Sequence, residues 1–343
     1  MRFMLVGTGF AETHIQWIQQ TKGASVDVLC YLQNESRAQT LAARYDIPLI
    51  SNRPFQIIND GKIDAIAVVT PPDTHEALIA AALGRGLVTV TDKPLASTAR
   101  VARAIADKAR ITGARASITF QWRQHPTFQQ ARALCLAGKL GRVVHVDLRF
   151  HHDFLAGATT LWPWRHAAEE AGAGTLGDQG VHLFDLLRFV VPAPWRVTAA
   201  ATTVAWPVRK GPSFDVHCDT EDIADVLLED TESRRHAHVF ATRVDAGRHE
   251  VSVAIQGTAG SLHIILDPGT GAGHSVLSKL GESPVVGEYG PQDLNPYRPI
   301  VEHFVSGGDE LPDGLADFND GLEAQVFLEE AVRLTSTDKL AVL

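Results

Sequence analysis

The residues best suited to proton chemistry lie in one stretch, residues 172–185, which reads GAGTLGDQGVHLFD. Asp178 and His182 are four residues apart among apolar residues, so a helix would place them one turn apart on one face. A carboxylate beside an imidazole can fix its tautomer and raise its basicity, as proton transfer requires. The same spacing also fits a surface ion pair on an amphipathic helix. Gly172 and Gly174 allow the close approach of either a ligand or another chain segment.

A second candidate for chemistry is Lys93, which follows the apolar run 87–91 in the tripeptide Asp92-Lys93-Pro94. A lysine at the carboxyl end of a parallel strand points into the crevice where open α/β sheets bind ligands. Pro94 fixes the backbone as the chain leaves that strand. Lys93 could therefore hydrogen-bond a substrate oxygen and stabilise negative charge on it.

The elements that must position these residues alternate between strands and helices over the first third of the chain. Continuous apolar character, clearest at residues 63–70, is typical of strands buried on both faces of a parallel sheet. The pattern predicts a Rossmann domain, a doubly wound parallel sheet, over residues 1–121. Its strand-like runs are residues 3–6, 25–31, 63–70, 87–91 and 116–120.

The first strand runs into Gly7-Thr8-Gly9-Phe10 and then into a helix, the context in which a Gly-x-Gly pair binds a dinucleotide. Gly7 permits the tight turn, and Gly9 lets a pyrophosphate reach N–H groups at the helix N-terminus. Glu12 stands where the third small residue of this fingerprint is expected. We expect its side chain to crowd the contact between helix and strand and to repel a pyrophosphate.

The end of the second strand bears on the choice of cofactor. NAD-specific units place Asp or Glu there to bind the ribose hydroxyls, whereas residues 31–34 read YLQN. Ser36 and Arg37 open the next helix, and Arg37 could either meet a ribose phosphate or face solvent. The missing acid favours NADP over NAD.

Composition and charge exclude several classes of protein. A chain of 343 residues is long enough for two domains with separate cores. A net charge of -9 and a pI near 5.9 disfavour a nucleic-acid partner. No apolar run approaches the roughly 20 residues of a membrane span, and the apolar start is too short for a signal peptide. Cys30, Cys135 and Cys218 are too scattered for a zinc motif. We therefore expect a cytoplasmic protein without a membrane partner.

The rest of the chain, residues 122–343, predicts an α+β domain with a large, mainly antiparallel open sheet. Residues 268–299 are rich in Gly and Pro and are expected to form surface loop. A late helix over residues 317–334 could pack back toward the first domain. The strand-like runs are residues 143–150, 196–205, 222–228, 235–243, 249–256 and 262–266.

His151, His152 and Asp153 carry side chains that can bind metals. If the strand before them continues, its alternation places His152 on the side opposite to the other two. No metal site is therefore expected.

Six motifs, in their order and spacing, resemble the glucose–fructose oxidoreductase / inositol dehydrogenase / rhizopine-catabolism (Gfo/Idh/MocA) family. The resemblance spans nearly the whole chain and implies a nicotinamide-dependent oxidoreductase that acts on sugars, polyols or related carbinols. In this family the open face of the second sheet packs against a partner subunit, which implies a homodimer or homotetramer. The motifs are Gly7-Thr8-Gly9-Phe10, Thr70-Pro71-Pro72 with His75, Asp92-Lys93-Pro94, Trp122-Arg123 with Pro126, Trp164-Arg165, and residues 172–182.

By this resemblance Lys93, Asp178 and His182 are the expected catalytic residues, converging in a cleft between the domains. His182 would accept the alcohol proton and Lys93 would stabilise the oxygen, or the two would exchange roles. Asp178 would orient the imidazole or bind an adjacent hydroxyl. The residues expected to bind the cofactor are Gly7, Thr8, Gly9, Phe10, Ser36, Arg37, Thr70, Pro71, His75, Asp92, Lys93, Arg123, Trp164 and Arg165.

Three points stay open at the level of sequence. The sequence departs from the family at Asp92, where Glu is usual, and at Glu12, where a small residue is usual. Trp162 and Trp164 could stack on a sugar ring or belong to a core or interface. Two other functions also fit: a non-catalytic dinucleotide-binding sensor, which Glu12 would favour, and an NAD-dependent glycosidase that uses a transient oxidation.

Overall fold

The computed structural model of the chain describes residues 1–211, 213–308, 311–312 and 314–338. They pack as two compact units. The first comprises Met1–Gln124 and Asn295–Gln325, and the second comprises His125–Leu294 and the chain from Val326 onward. That residues 1–121 and 122–343 form two separate domains stays a prediction.

The first unit is built on a six-stranded sheet in the order β3-β2-β1-β4-β5-β6, with every neighbouring pair parallel. Successive strands proceed outward from β1 in one direction and from β4 in the other, so the order reverses between β1 and β4. That reversal is where open α/β sheets bind ligands. The doubly wound parallel sheet expected from the sequence is confirmed. The strands are β1 (Arg2–Val6), β2 (Ser25–Cys30), β3 (Leu49–Ser51), β4 (Ala65–Val68), β5 (Val88–Thr91) and β6 (Ala116–Ile118).

The second unit contains an eight-stranded sheet in the order β16-β15-β14-β13-β7-β12-β11-β8. The pair β7 and β12 is parallel, and the other neighbouring pairs are antiparallel, so the mainly antiparallel sheet is confirmed. A separate hairpin pairs β9 with β10. The strands are β7 (Val143–His151), β8 (Trp195–Thr203), β9 (Val208–Lys210), β10 (Asp215–His217), β11 (Ile223–Asp230), β12 (His236–Thr242), β13 (Glu250–Gly257), β14 (Gly260–Leu266), β15 (Gly273–Lys279) and β16 (Val285–Tyr289).

Eleven α-helices lie in the described part of the chain. Among these helices, none is both long enough and apolar enough to cross a membrane. They are α1 (Ala11–Gln20), α2 (Glu35–Arg44), α3 (Pro54–Asp60), α4 (His75–Gly84), α5 (Ala99–Thr112), α6 (Pro126–Leu136), α7 (Pro163–His166), α8 (Ala168–Ala171), α9 (Val181–Val190), α10 (Tyr297–Val305) and α11 (Phe318–Asp338).

The late part of the sequence contributes to the core of the first unit. Tyr297, Ile300 and Val301 of α10 are buried in the same apolar cluster as Phe3 and Leu5 of β1. The ring of Tyr297 meets that of Phe3 edge to face, with 5.7 Å between centroids. The first unit is therefore completed by a segment distant in sequence, which no local pattern could indicate.

The prediction of surface loop over residues 268–299 is wrong, because the segment contains β15, β16 and the start of α10. One of the glycines that suggested a loop, Gly273, lies within the sheet. A Cβ on Gly273 would lie 2.1 Å from the Ile265 carbonyl oxygen of the neighbouring strand. Close backbone approach, and not a turn, requires glycine at that position.

Candidate functional site

The turn that follows β1 depends on Gly7. Its φ is 115°, and a Cβ there would lie 2.2 Å from the Val69 carbonyl oxygen. Only glycine fits where this turn passes the end of β4. Thr8 is half-buried and Phe10 is exposed. At Gly9 a Cβ would meet no atom of the described residues within 4 Å, so intrachain packing does not demand a glycine there.

Ala11 is the residue that packs against the sheet at this turn. It begins α1 and is fully buried in the core of the first unit. The Glu12 side chain extends toward α2 instead. Its carboxylate oxygens accept hydrogen bonds from Arg44 at 2.5 Å, Tyr45 at 2.9 Å and Arg37 at 3.2 Å. The expected crowding of the helix–strand contact by Glu12 is therefore wrong, because the small residue at this point is Ala11.

The charge on Glu12 is compensated from α2. The Tyr45 hydroxyl and the Arg44 guanidinium hold the pKa of Glu12 below its usual range, so its carboxyl group is ionised at neutral pH. Arg37 lies in the first turn of α2, where the Asn34 side chain accepts its backbone N–H at 2.9 Å. Besides solvent or a ribose phosphate, Arg37 thus has a third partner in Glu12. Ser36 beside it is exposed.

His75 links the segment after β4 to the segment after β5. Its Nε2 lies 2.9 Å from the Thr70 carbonyl oxygen, and its Nδ1 lies 3.1 Å from the Leu95 carbonyl oxygen. Burial lowers the pKa of His75, so the ring is neutral and donates through one nitrogen only. Of the three motif residues expected to bind a cofactor here, His75 is buried, Thr70 is half-buried and Pro71 is exposed.

Lys93 follows β5 directly, and its backbone is fixed by the side chain before it. The Lys93 N–H donates to Asp92 Oδ1 at 2.9 Å, and the same oxygen accepts the Thr119 hydroxyl at 2.8 Å. On the other side, His14 Nε2 lies 3.8 Å from Asp92 Oδ2. The shorter acid at position 92 therefore accepts hydrogen bonds from the Lys93 N–H and the Thr119 hydroxyl, with the His14 ring of α1 nearby.

The orientation of His14 follows from its second neighbour. Its Nδ1 lies 2.7 Å from the Tyr297 hydroxyl, and both groups are fully buried. Burial raises the pKa of Tyr297 well above its usual value and lowers the pKa of His14, so the phenol keeps its proton and the ring is neutral. We assign Tyr297 as the donor to Nδ1, which leaves the ring hydrogen on Nε2 facing Asp92.

Arg123 is buried within the first unit. It belongs to a short 3-10 helix, and its Nη1 lies 2.9 Å from Asp320 Oδ2 and 3.3 Å from the Leu315 carbonyl oxygen. Asp320 lies in the first turn of α11. Arg123 thus ties the end of the parallel sheet to the late segment that completes this unit.

In the second unit, Asp178 and His182 lie on one continuous helical segment, as predicted. A single π turn, Leu176–Gly180, leads directly into α9. Asp178 Oδ2 accepts a charge-assisted hydrogen bond from Arg165 Nη1 at 2.7 Å. His182 is 6% exposed and therefore buried.

Arg165 was expected to bind the cofactor, and in the structure it pairs with Asp178. Its side chain is buried, and its guanidinium stacks over the Trp162 ring with 4.4 Å to the centroid. Phe154 lies further away on the same guanidinium, at 6.0 Å. The contact gives Trp162 a structural role. The side chain of Trp164 lies outside the described residues.

Gly174 makes a close approach to the chain itself, which answers the question left open by the sequence. A Cβ there would lie 2.0 Å from the Glu221 carbonyl oxygen. The Glu221 side chain accepts hydrogen bonds from the backbone N–H groups of Gly174 and Leu176 at 2.8 and 2.9 Å. Burial raises the pKa of Glu221.

His152 and Asp153 come together with His249, because β7 ends at His151 and its alternation does not extend to them. Their ligand atoms lie within 4.8 Å of one another. Each is already engaged: Asp153 Oδ1 lies 2.5 Å from His249 Nε2, and His152 Nδ1 accepts the backbone N–H groups of Asp153 and Phe154. The cluster is a hydrogen-bonded corner, whereas His151 pairs separately with Asp245.

Several residues that shape the site were missed from the sequence. His14, Tyr297 and Glu221 support Lys93 or Asp178 from positions distant in sequence. For one of them, Glu221, the sequence contains a pattern that could have indicated its role. Residues 219–222 read DTED directly before an apolar strand, and four polar residues there indicate buried capping groups.

Two family models match the chain. One is described as the oxidoreductase family with an NAD-binding Rossmann fold (GFO_IDH_MocA) and matches residues 1–120. The other is the GFO/IDH/MocA C-terminal domain and matches residues 128–263. Together they cover most of both units.

Similar proteins include characterised dehydrogenases. Levoglucosan dehydrogenase of Pseudarthrobacter phenanthrenivorans is 26% identical over 252 residues, 67% of this chain and 62% of that protein. The scyllo-inositol 2-dehydrogenase (NAD(+)) of Bacillus subtilis is 25% identical over 232 residues, 67% of this chain and 63% of that protein. The match thus spans just over three fifths of each relative's length.

A solved structure shows the same fold over nearly the whole chain. Levoglucosan dehydrogenase in complex with NADH and L-sorbose superposes with a TM-score of 0.84 at 20% identity. The match covers 98% of this chain and 97% of that one. At this identity, the likeness shows the fold alone.

The pair of Arg165 and Asp178 predicts a measurable coupling. In a double-mutant cycle of Arg165→Met and Asp178→Asn, the coupling free energy of unfolding should be about 1 to 3 kcal/mol, because the pair is largely desolvated. The exposed pair Arg110 and Asp107, 3.2 Å apart on α5, is the control and should couple by less than about 0.5 kcal/mol. Denaturant midpoints measure both. A coupling no larger than that of the control would show that Arg165 does not hold Asp178.

Proposed function

The chain belongs to the Gfo/Idh/MocA family, and we propose that it is an NAD(P)-dependent oxidoreductase that transfers hydride between nicotinamide and a secondary alcohol of a sugar, polyol or related carbinol. The observation that carries the proposal is that each unit holds side chains suited to proton chemistry, and that neighbouring residues fix the backbone or the side chain beside them. The backbone N–H of Lys93 is held by the Asp92 side chain just beyond β5 of the parallel sheet. Asp178 and His182 lie on one helical segment, with Asp178 paired.

The residues around the first turn fit a dinucleotide. Gly7 is required by the backbone, whereas no intrachain contact requires Gly9, which fits selection by a ligand that approaches the backbone closely. The N-terminus of α1 begins at Ala11, so its free N–H groups are available to a pyrophosphate. We propose that Gly7, Thr8, Gly9 and Phe10 hold the cofactor here.

The proton chemistry falls to Lys93 and His182. When bound, the nicotinamide would accept the hydride from the carbinol carbon. We propose that His182 accepts the hydroxyl proton and that Lys93 donates a hydrogen bond to the same oxygen. Asp178 is ion-paired with Arg165 through Oδ2. We propose that it binds a neighbouring hydroxyl of the substrate. The substrate classes named for the relatives, an anhydrosugar and an inositol, support a neutral polyhydroxylated substrate.

We propose NAD as the preferred cofactor. The sequence favours NADP because no acid follows β2 and Arg37 stands nearby. In the structure the Glu12 carboxylate accepts a hydrogen bond from the Arg37 guanidinium, so this cation is already paired within the chain. An arginine that is paired with a carboxylate is less available to a ribose phosphate, which disfavours NADP.

We also propose that the outer face of the eight-stranded sheet pairs with a second copy of the chain. Leu227 of β11 and Val286 of β16 fall in one cross-strand row on that face, and Ile265 of β14 lies next to that row. These side chains are 48%, 57% and 39% exposed. The row between Leu227 and Val286 also carries Ala254 and Val276, together with the polar residues His238, Asp147 and His263, so the face is mixed as interface rims commonly are.

The catalytic proposal predicts that Lys93→Met and His182→Asn each lower kcat by about 100-fold or more. The affinity for reduced nicotinamide should change little, because neither variant alters the glycine turn. Lys108→Met and His217→Asn, both exposed, serve as controls. Steady-state turnover with levoglucosan, inositols and aldoses, followed by nicotinamide absorbance, measures this.

Three outcomes would contradict it. Undiminished turnover in either variant would remove that residue from catalysis. Cofactor binding without turnover of any carbinol by the native chain would favour a sensor. Product formation without net change in nicotinamide would favour the glycosidase chemistry.

The cofactor proposal predicts that the native chain binds NADH more tightly than NADPH, and that Glu12→Gln shifts the ratio toward NADPH by about tenfold. The substitution removes the negative charge and frees Arg37 and Arg44 for a ribose phosphate. Glu76→Gln, at the start of α4, removes an acid elsewhere in the same unit and should leave the ratio unchanged. Fluorescence titration at one salt concentration gives the ratio. Tighter NADPH binding by the native chain would refute it.

The interface proposal predicts a dimer or tetramer in sedimentation velocity at micromolar concentration. Leu227→Lys should shift the chain toward monomer, because the lysine charge would have to leave water when this side chain is covered by the second copy. Leu136→Lys, on the exposed end of α6, is the control for an added lysine. A monomeric native chain would overturn the proposal.

A further inference from the structure

Four consecutive polar residues, 219–222, lie between β10 and β11 and bind separate parts of the second unit. Thr220, Glu221 and Asp222 are at most 9% exposed, whereas Asp219 is exposed. Buried polar side chains are costly unless their hydrogen bonds are satisfied, so such a run needs a reason. Three of the four, Asp219, Thr220 and Glu221, contact the segment around Arg165 or the segment that leads to Asp178.

The first two residues hold the backbone around Arg165. The Asp219 carboxylate accepts the Ala168 N–H at 2.7 Å, and the Asp219 N–H donates to the His166 carbonyl oxygen at 3.0 Å. The Thr220 hydroxyl donates to the carbonyl oxygen of Arg165 itself at 2.7 Å. The segment that carries Arg165 is therefore fixed at three backbone groups.

Glu221 holds the backbone that leads to Asp178. One carboxylate oxygen, Oε1, accepts the N–H groups of both Gly174 and Leu176, and the Glu221 carbonyl oxygen accepts Thr175 N–H at 2.9 Å. The Gly174 carbonyl oxygen in turn accepts the Asp178 N–H at 3.1 Å. Two hydrogen bonds in series thus connect the Glu221 side chain to the backbone of Asp178.

Asp222 anchors this run in the core of its unit. Its carboxylate accepts the Arg243 Nε–H at 2.9 Å and lies 3.4 Å from Arg209 Nη2, and all three side chains are at most 1% exposed. Arg243 also donates to the Thr220 hydroxyl at 2.9 Å. Buried, multiply bonded ion pairs of this kind have little freedom to move, so they give the run a fixed base.

We propose that Glu221 is a positioning residue of the proposed active site: it sets the backbone of residues 174–178 so that Asp178 meets Arg165 and His182 faces the substrate. The proposal rests on the proposed dehydrogenase function for its kinetic part only. Glu221 itself touches no reacting atom in this account. What it must supply is an oxygen acceptor for two N–H groups, and not a negative charge. The raised pKa of this buried carboxyl agrees with that distinction.

The distinction between acceptor and charge makes the proposal testable with two variants. In Glu221→Gln the carbonyl oxygen of the new amide replaces the carboxylate oxygen as acceptor, so kcat should stay within about threefold of native. Glu221→Ala removes the acceptor, leaves two buried N–H groups unsatisfied, and should lower kcat by about 100-fold with an unchanged KM for the nicotinamide cofactor. Glu229, a buried acid of β11 that pairs with Arg196 and Arg234, is the control, and Glu229→Gln should retain kcat.

Hydrogen–deuterium exchange gives a readout that does not depend on activity. In Glu221→Ala the amides of residues 174–178 should exchange at least tenfold faster, whereas Glu221→Gln and Glu229→Gln should match the native chain. If Glu221→Ala does not fold, Thr220→Val replaces it as the variant for the exchange measurement. It should speed exchange around residues 165–168, where the Thr220 hydroxyl acts, and lower kcat severalfold.

The outcomes separate the two proposals. Unchanged exchange in Glu221→Ala, or a Glu221→Gln variant as impaired as Glu221→Ala, would overturn the positioning role. If exchange in Glu221→Ala rises as expected but the native chain shows no dehydrogenase turnover, the structural role of Glu221 is supported and the proposed function is refuted instead. If Glu221→Ala does not fold, a Thr220→Val variant with native exchange at residues 165–168 and native kcat would overturn the account of the whole run.

Discussion

An ionised carboxyl group is costly to remove from water, and the candidate site is built largely from carboxyl groups. Each therefore needs fixed donors from its own unit. Asp92 has the Lys93 N–H and the Thr119 hydroxyl, and Asp178 has Arg165. This constraint explains why the supporting residues are as specific as the proposed catalytic ones. A carboxyl group that lost its donors would either take up a proton or move, and in both cases the chemistry beside it would change.

The same constraint explains Glu12, the residue that fits the fingerprint least. At the start of α1 an unpaired acid would oppose a bound pyrophosphate. The structure places its carboxylate against Arg44 and Tyr45 of α2 and leaves Ala11 to pack on the sheet. Glu12 is therefore tolerated at this position, because its carboxylate points toward α2 and its charge is compensated there. Glu12 also pairs with Arg37, the cation that a ribose phosphate would otherwise meet.

Much of the architecture follows from local pattern, whereas the support of the site does not. The parallel sheet was readable from buried apolar runs such as residues 63–70, and the helix through Asp178 and His182 from their spacing. Arg165 could not be assigned to Asp178, because the two lie on separate segments joined only by tertiary packing. Likewise Gly174 could have faced a ligand or the chain, and only its contact with Glu221 decides. The strands near Gly273 were hidden because glycine served sheet packing there and not a turn.

The central claim is that a carbinol hydrogen passes to nicotinamide under the control of Lys93 and His182. Its most direct test is to incubate the chain with polyols and aldoses deuterated on carbon, together with NAD and NADP, and to weigh the reduced cofactor by mass spectrometry. The account predicts deuterium in the reduced nicotinamide with the native chain, and its loss in Lys93→Met and His182→Asn. Bound cofactor that acquires no deuterium from any of these substrates would contradict the account.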